Sequence, residues 1–484
     1  MRPVGESTGQ NGGVNGIPER LSAVFAPGSP IRVVAEQLAQ EGHRTYLVGG
    51  SVRDAFANRV LGDLDLTTSA RPDDIERLLG PISEHIWLQG KAFGTVGAKV
   101  GGRDLEITTF RGDLYRPESR KPEVEYADDV ESDLLRRDFT INAMAIEIRN
   151  EPALVDPHNG LEDLLVNKRL RTPQSPESSF ADDPLRMMRA ARFIARFGLT
   201  PDAELVEAVE AMASRMEIVS AERIRDELSK LLSVPDCSEG LWFLSKTGLS
   251  DQFLPELNLM QLEQDPIHQH KDVLAHTIAV INNTNHEDVI VRLAALFHDV
   301  GKPKTRSFEN GGVSFHHHEV VGARMTRARM TALRFSNEVI EDVTQLVYLH
   351  LRIHTYAMGW SDKAVRRYVR DAGPLLAQLN HLQRCDCTTR NKRRALALDR
   401  RMDELERRIV ELREQEEIDS IRPPLDGLQV MEHLRIAPSR AIGEALDYLL
   451  ELRLDEGPIE EAEAFRLLDE WADTKGILRG DLLA

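Results

Sequence analysis

In Gly62-Asp63-Leu64-Asp65-Leu66-Thr67 two carboxylates stand two residues apart between apolar neighbours. On an extended strand that spacing projects both from one face and sends Leu64 and Leu66 to the core. Like charges this close repel, and the usual compensation is a divalent cation. A third acid, Glu106 in Leu105-Glu106-Ile107, is flanked in the same way on another predicted strand and completes an acidic cage. Upstream, Leu47-Val48-Gly49-Gly50-Ser51-Val52-Arg53-Asp54 runs from an apolar strand through a Gly-Gly turn into a helix, a turn whose backbone N–H groups suit a phosphate chain. Alone, either feature is ordinary turn or strand chemistry. Together, three carboxylates beside such a turn suit two Mg²⁺ ions, one activating an attacking hydroxyl and one holding a triphosphate. This is phosphoryl-transfer architecture.

A second concentration of reactive groups lies in the His-rich section from His268 to His354. There Leu293-Ala294-Ala295-Leu296-Phe297-His298-Asp299-Val300-Gly301-Lys302 reads as an apolar helix ending in adjacent His and Asp before a glycine.

The elements that must position these residues divide the chain in two. From Ile31 to Ile148 helices alternate with short strand-like runs, at Thr45 to Val48, Leu64 to Thr67, Thr95 to Val100 and Leu105 to Phe110. After Pro157 the apolar spacing turns helical. The first part therefore reads as α/β and the rest as an all-α body. The expected divisions are a flexible N-terminal tail 1–28, a head 29–157, a helical neck 158–260, a helical His-rich domain 261–395 and a helical C-terminal tail 396–484.

Composition narrows the function classes. A chain of 484 residues with 41% hydrophobic and 29% charged residues is neither a single small module nor globally disordered. Its 61 Lys and Arg against 79 Asp and Glu give a net charge of −18, so a nucleic acid must be held by local basic patches. Arg384 to Arg413 is one such stretch. Three cysteines are too few for a disulfide framework, and no segment reads as a signal peptide or a membrane span. A cytoplasmic protein with no membrane partner is expected.

Six motifs follow one another in a recognisable order: Leu47 to Asp54, Gly62 to Thr67, Arg136-Arg137-Asp138-Phe139-Thr140-Ile141-Asn142-Ala143, Asp156 to Leu164, Asp182-Asp183-Pro184-Leu185-Arg186, and Glu222-Arg223-Ile224. With them the chain resembles the DNA polymerase β-like nucleotidyltransferase superfamily and, more narrowly, the bacterial class II CCA-adding tRNA nucleotidyltransferases and poly(A) polymerases. The resemblance implies an α+β nucleotidyltransferase head, a polymerase β-like palm with a mixed sheet and helices, ahead of the all-α body, and it implies that Asp63 and Asp65 bind Mg²⁺ with Glu106 as the third catalytic acid. It implies that Gly50 and Arg53 contact the incoming nucleotide, and that Arg137, Asp138 and Asn142 hold its sugar and phosphates. It further implies that Asp156 to Leu164 flexes between additions and that Asp183 and Arg186 read the base.

Physical chemistry supports the last role. Asp183 only accepts hydrogen bonds and Arg186 only donates. Cytosine and adenine each offer an amino donor beside a ring-nitrogen acceptor, whereas uracil and guanine present the reverse and leave the pair unmatched. Arg189, Arg192 and Arg196 follow along one helical face, with Met187, Met188, Ala190, Ala191, Phe193 and Ile194 as the packed side. That arrangement turns Arg189 and Arg192 toward the nucleotide, against the simpler reading of a solvated basic stripe. The motif departs from the family at Asp182, where Glu is usual. Arg111 to Asp129, with Pro117 and Pro122 among charges, reads as a mobile loop.

The second half resembles the HD phosphohydrolase superfamily, which implies a metal held by His276, His298, Asp299 and Asp386. Imidazole with carboxylate suits Ni²⁺, Co²⁺ or Mn²⁺. His317, His318 and His350 are further candidate ligands or phosphate contacts. The competing reading makes the HD fold a structural remnant and His316 to His318 an exposed loop.

The expected function is addition of C, C and A to the tRNA 3′ end from CTP and ATP. The alternatives are a poly(A) polymerase, and an HD phosphohydrolase with the front half as a nucleotide sensor. Gln89-Gly90-Lys91-Ala92-Phe93-Gly94-Thr95-Val96 and the acidic character after Glu414 favour the first. A noncatalytic RNA-binding protein would have lost one of the acids, and all are in place.

Overall fold

The computed structural model describes residues 16–112, 125–262, 272–309, 312–355, 361–388, 392–416 and 421–477. The chain forms two compact units, Met1–Phe253 and Leu254–Ala484. The division falls inside the expected 158–260 stretch.

The first unit is built on a seven-stranded sheet of β1 (Thr45–Val48), β2 (Asp65–Thr68), β3 (His85–Trp87), β4 (Thr95–Val100), β5 (Arg103–Thr109), β6 (Ala145–Glu147) and β7 (Ala153–Val155), in the order β3-β4-β5-β2-β1-β6-β7. Every neighbouring pair is antiparallel except β2 with β5, which makes the sheet mixed as expected. β2 begins at Asp65, so Asp63 precedes the strand rather than sharing it, a correction to the expectation from spacing. The three-residue strands β3, β6 and β7 escaped the sequence reading because so short a run carries no alternation to detect.

One sheet face is closed throughout. Leu47, Leu66, Ile107 and Val96 lie on it, fully buried, under helices Pro30–Ala39 and Pro72–Leu79. The other face is closed over β1 and β6, where Tyr46, Val48 and Ala145 pack with Val130 and Leu134 of helix Val130–Leu135. At the start of β2 and the facing position of β5 it stays open, and the acids stand there. Residues 113–124 of the expected mobile loop lie outside the described residues; at its base Arg111 and Tyr126 form an antiparallel bridge. The unit continues through helices Pro176–Asp182, Leu185–Phe197, Ala203–Met212, Ala221–Leu232 and Ser238–Lys246.

The second unit is helical except for a short hairpin, Ser307–Glu309 with Gly312–Ser314. Helices Val273–Asn283, Val289–Phe297, His318–Ala332, Asn337–Leu349 and Leu376–Asp386 carry the histidines and acids. Helix Lys392–Glu416 spans the expected 395/396 division, and Leu425, Val430, Leu449, Leu468 and Trp471 share a separate core further on. Among the described residues no helix is long and apolar enough to cross a membrane.

Candidate active site and metal cluster

The parallel pairing of β2 with β5 sets Asp65 directly opposite Glu106, with both carboxylates exposed on the open face. Asp63, also exposed, lies just ahead of β2, two residues before Asp65. Desolvation in this crevice raises the Asp65 carboxyl above its ordinary value, the pull of Arg137 opposes it, and Glu106 and Asp63 add to the rise. A site that disfavours its own negative charge in this way is poised to accept a cation.

On the other side of Asp65, β1 ends at Val48 and the chain turns through Gly49 (φ 73°, ψ −129°) into helix Gly50–Phe56. That backbone conformation suits glycine alone, and a side chain there would also stand 2.9 Å from Arg137 Nη1. Arg137 Nη2 donates to Asp133 Oδ2 at 3.2 Å. Arg53 donates to Asp54 Oδ1 (2.8 Å) and to Asn142 Oδ1 (2.5 Å), and its guanidinium lies 5.1 and 4.8 Å from the ring centroids of Phe193 and Phe197. Asn142 in turn donates to Asp138 Oδ1 (2.9 Å), and Arg189 Nε donates to Asp138 Oδ2 (2.7 Å). Burial would raise the Asp138 carboxyl, but Arg189 and Asn142 outweigh it and hold the group below its ordinary value. Gly50, Arg53, Arg137, Asp138, Asn142 and Arg189 thus belong to one connected rim beside the acids. Arg192 is buried and turned to Glu227.

The base-reading candidates are braced by partners of their own. Asp183 accepts from the Leu185 backbone N–H at 3.1 Å and from Arg223 Nη2 at 2.7 Å. Arg186 donates to Ser179 Oγ and to the Arg136 carbonyl, each at 2.8 Å, and burial lowers its pKa. Asp182 accepts from Gln174 at 3.3 Å. Arg223 was visible in the sequence as part of a motif, but its partnership with Asp183 was not, because 40 residues separate them. Asp133 was not singled out, although it stands four residues before Arg137, the spacing of a local ion pair.

In the second unit His276, His298, Asp299, His318, His350 and Asp386 converge. His276 Nε2 lies 2.9 Å from Asp386 Oδ1 and 3.5 Å from Asp299 Oδ2. His298 Nε2 lies 3.2 Å from Asp299 Oδ2. Nδ1 of His298, His318 and His350 each meets a backbone carbonyl, of Ala295 (2.8 Å), Phe315 (2.8 Å) and Val347 (2.6 Å). An N–H must therefore sit on each Nδ1, which turns Nε2 inward; on a neutral ring that atom is the free lone pair. The Nε2 atoms of His318 and His350 are buried without a hydrogen-bond partner, 3.4 and 4.0 Å from Asp299 Oδ1.

Burial would lower His298, yet Asp299 and Asp386 push it up to about 10. Burial and the neighbouring His298 bring His350 down to about 3. Buried nitrogen lone pairs facing two carboxylates held in their ionised form fit a divalent cation. The donors form two groups sharing Asp299, one with His276 and His298 and one with His318 and His350. His317 does not join them: it takes a left-handed conformation (φ 59°) with its side chain 83% exposed, as the exposed-loop reading had it for this residue. Thr388, which meets His276 Nδ1 at 2.8 Å, was not foreseen.

An open sheet face carrying three acids beside a glycine turn, followed by a helical body with a histidine-aspartate cluster, defines a nucleotidyltransferase head joined to an HD domain. Residues 45–171 match the family described as "Poly A polymerase head domain", 198–260 that described as "Probable RNA and SrmB- binding site of polymerase A", and 273–412 the HD domain. The "A-adding tRNA nucleotidyltransferase" of Deinococcus radiodurans is 33% identical over 446 residues, covering 88% of this chain and 95% of that protein. The chain belongs to the tRNA nucleotidyltransferase family.

The "CCA-adding enzyme" of a Geobacillus species is 39% identical over 217 residues, 45% of this chain and 52% of that protein, so the match spans about half its length. Among solved structures, a Bacillus stearothermophilus CCA-adding enzyme in complex with CTP superposes with a TM-score of 0.66 at 23% identity, covering 92% of this chain and 98% of that one. A Thermotoga maritima CCA-adding enzyme complexed with tRNA gives 0.56 at 16%, covering 94% and 96%. These likenesses show the fold. Both the head and the HD domain are of kinds that use divalent metal ions.

Proposed function

We propose that this chain adds C, C and A to the 3′ end of tRNA from CTP and ATP, in the cytoplasm and without a nucleic-acid template. The observation that carries the reading is one acceptor and one donor, Asp183 and Arg186, each braced by its own partners in the same unit as the acids. A pair so fixed matches the Watson–Crick edges of cytosine and adenine and mismatches those of uracil and guanine. The CTP, ATP and tRNA complexes of structurally similar CCA-adding enzymes support the substrates.

Asp63, Asp65 and Glu106 would hold Mg²⁺, which when bound activates the tRNA 3′-hydroxyl and neutralises the triphosphate. The chain's own residues do the rest. Arg53 and Arg137 line the glycine turn where the phosphates enter, and Asn142 and Asp138 fix the direction of Arg53. Arg189 acts on this rim through Asp138, and Arg192 through Glu227 steadies the helix that carries Arg186. The hydroxyl then attacks the α-phosphorus, and the bond to the β-phosphate breaks to release pyrophosphate.

A second reading is addition of the final A alone, favoured by the near full-length match to an A-adding relative. A gel assay decides, with tRNA lacking its whole CCA end or already ending in CC, and CTP and ATP supplied separately and together. Two C residues from CTP and one further A with both would support CCA addition. Extension only of the tRNA that already ends in CC would make this an A-adding enzyme, and long tails from ATP alone a poly(A) polymerase.

For the second unit we propose a resident transition metal such as Ni²⁺, Co²⁺ or Mn²⁺, held by His276, His298, Asp299 and Asp386, with His318 and His350 facing a neighbouring position across Asp299. Such an ion activates water for phosphoester hydrolysis. Metal analysis of the purified protein, and release of phosphate from nucleotides with the Asp63 to Glu106 acids mutated, test this reading.

A further inference from the structure

One residue row crosses the sheet through the active site. Trp87 pairs with Gly97, Gly97 with Glu106, Glu106 with Asp65, and Asp65 with Val48. Residues directly opposite on neighbouring strands project from the same face, so Trp87, Gly97 and the two acids share the open face. Gly97 leaves that face bare, and the Trp87 indole occupies the space: a Cβ built on Gly97 would run into the indole ring. The ring therefore lies across β4, one strand from Glu106. It is only half-buried, with His85 stacked beside it at 6.3 Å between centroids. Phe93 and Leu88, in the turn between β3 and β4, are 55% and 40% exposed.

The two sides of the acids are thus furnished differently. On the β1 side stand the glycine turn and the arginines, which suit a triphosphate. On the β4 side stands an aromatic surface, with Lys99 and Arg111 flanking it, the combination of ring and cation that suits the base and backbone of a single strand. We infer that Trp87 is a positioning residue that stacks on the terminal base of the RNA whose 3′-hydroxyl is to react. The proposal rests on the reading of Asp63, Asp65 and Glu106 as the reacting centre, and it adds where the acceptor strand ends. Stacking is indifferent to base identity, which fits a primer end that changes with every addition. Glycine at 97 is then a functional choice, because any side chain there lifts the platform.

The test has a binding arm and a kinetic arm on the full chain. The protein holds four tryptophans, so Trp87→Phe isolates the emission of Trp87. With neither Mg²⁺ nor nucleotide present, tRNA lacking its CCA end is expected to quench wild-type emission more than that of the variant. In steady state, Trp87→Leu is expected to raise KM for tRNA about tenfold, the size of one lost base–aromatic stack, while KM for CTP stays within about twofold. Trp87→Phe should restore most of the loss. Gly97→Val should reproduce the leucine phenotype with Trp87 intact.

Equal quenching in wild type and Trp87→Phe, an unchanged KM for tRNA in Trp87→Leu, or a parallel rise in both KM values would overturn the proposal and leave the indole as a cap on the sheet edge. Quenching is read without catalysis. A protein that quenched but added no nucleotide would therefore fail the catalytic reading alone, and one that added normally without quenching would fail this one alone.

Discussion

Asp65 and Glu106 face water on an open sheet, whereas Asp299 is 2% exposed inside a ring of four imidazoles. The first set offers only oxygen, is reached from solvent, and among the described residues has no imidazole preset toward it. The second offers nitrogen and oxygen, is closed, and has three of its histidine tautomers fixed by backbone carbonyls. Exposed carboxylates bind Mg²⁺ weakly and share it with substrate phosphates. Buried imidazoles with ionised acids hold a transition metal without help. On the proposed reading, the head's ions would arrive with the nucleotide, while an ion in the second unit would be part of the folded protein.

The comparison can be broken most sharply at Asp65. Asp65→Ala is expected to reduce nucleotide transfer about a thousandfold or more with thermal unfolding little changed; retained transfer in the gel assay would remove the acids from the reaction. Next, His298→Ala should abolish bound transition metal, read by elemental analysis, and leave nucleotide addition standing. Loss of addition along with the metal would mean that the two units are coupled, against the division drawn here. Arg186→Ala should then lower the preference for CTP and ATP over UTP and GTP about a hundredfold, with unchanged selectivity placing base reading elsewhere.

Smaller effects sharpen the picture of the rim. Arg223→Ala should raise KM for CTP and ATP about threefold to tenfold, as expected for one charged hydrogen bond, and Arg223→Lys should recover part of it. The pH dependence of Asp138 has a definite sign. Its folded carboxyl lies below the ordinary value, so its contribution to stability is present above the unfolded carboxyl range and is lost as pH falls below it. Denaturant titrations between pH 6 and 3, bracketing that range, should show wild type losing more stability than Asp138→Asn; parallel curves would show that Arg189 does not hold the charge.

Much of this was legible in residue order. The Asp-x-Asp with Glu106, the Gly-Gly turn and the Asp183 to Arg186 spacing are local signals, and the alternating front part and helical body follow from periodicity, while the mixed sheet follows only from the family resemblance. Contacts set by tertiary pairing were not legible. Nothing in sequence joins Arg223 to Asp183 or His276 to Thr388, because helix packing makes those neighbours. Asp63 was drawn into the strand because alternation continues through Leu64, while the ladder with β1 starts only at Asp65. Gly97 read as an unremarked strand residue; its meaning depends on a tryptophan from the next strand.

The single register row from Trp87 to Asp65 also dictates how this enzyme tolerates length variation over evolution. Turns that carry no site residue, such as that at Gly101 and Gly102 between β4 and β5, lie outside this row. One residue inserted or deleted within β5 between Arg103 and Glu106, however, turns Glu106 inward and Leu105 or Ile107 outward in the same event. In this head, lineages can drift in such turns yet are locked to strand parity along β5.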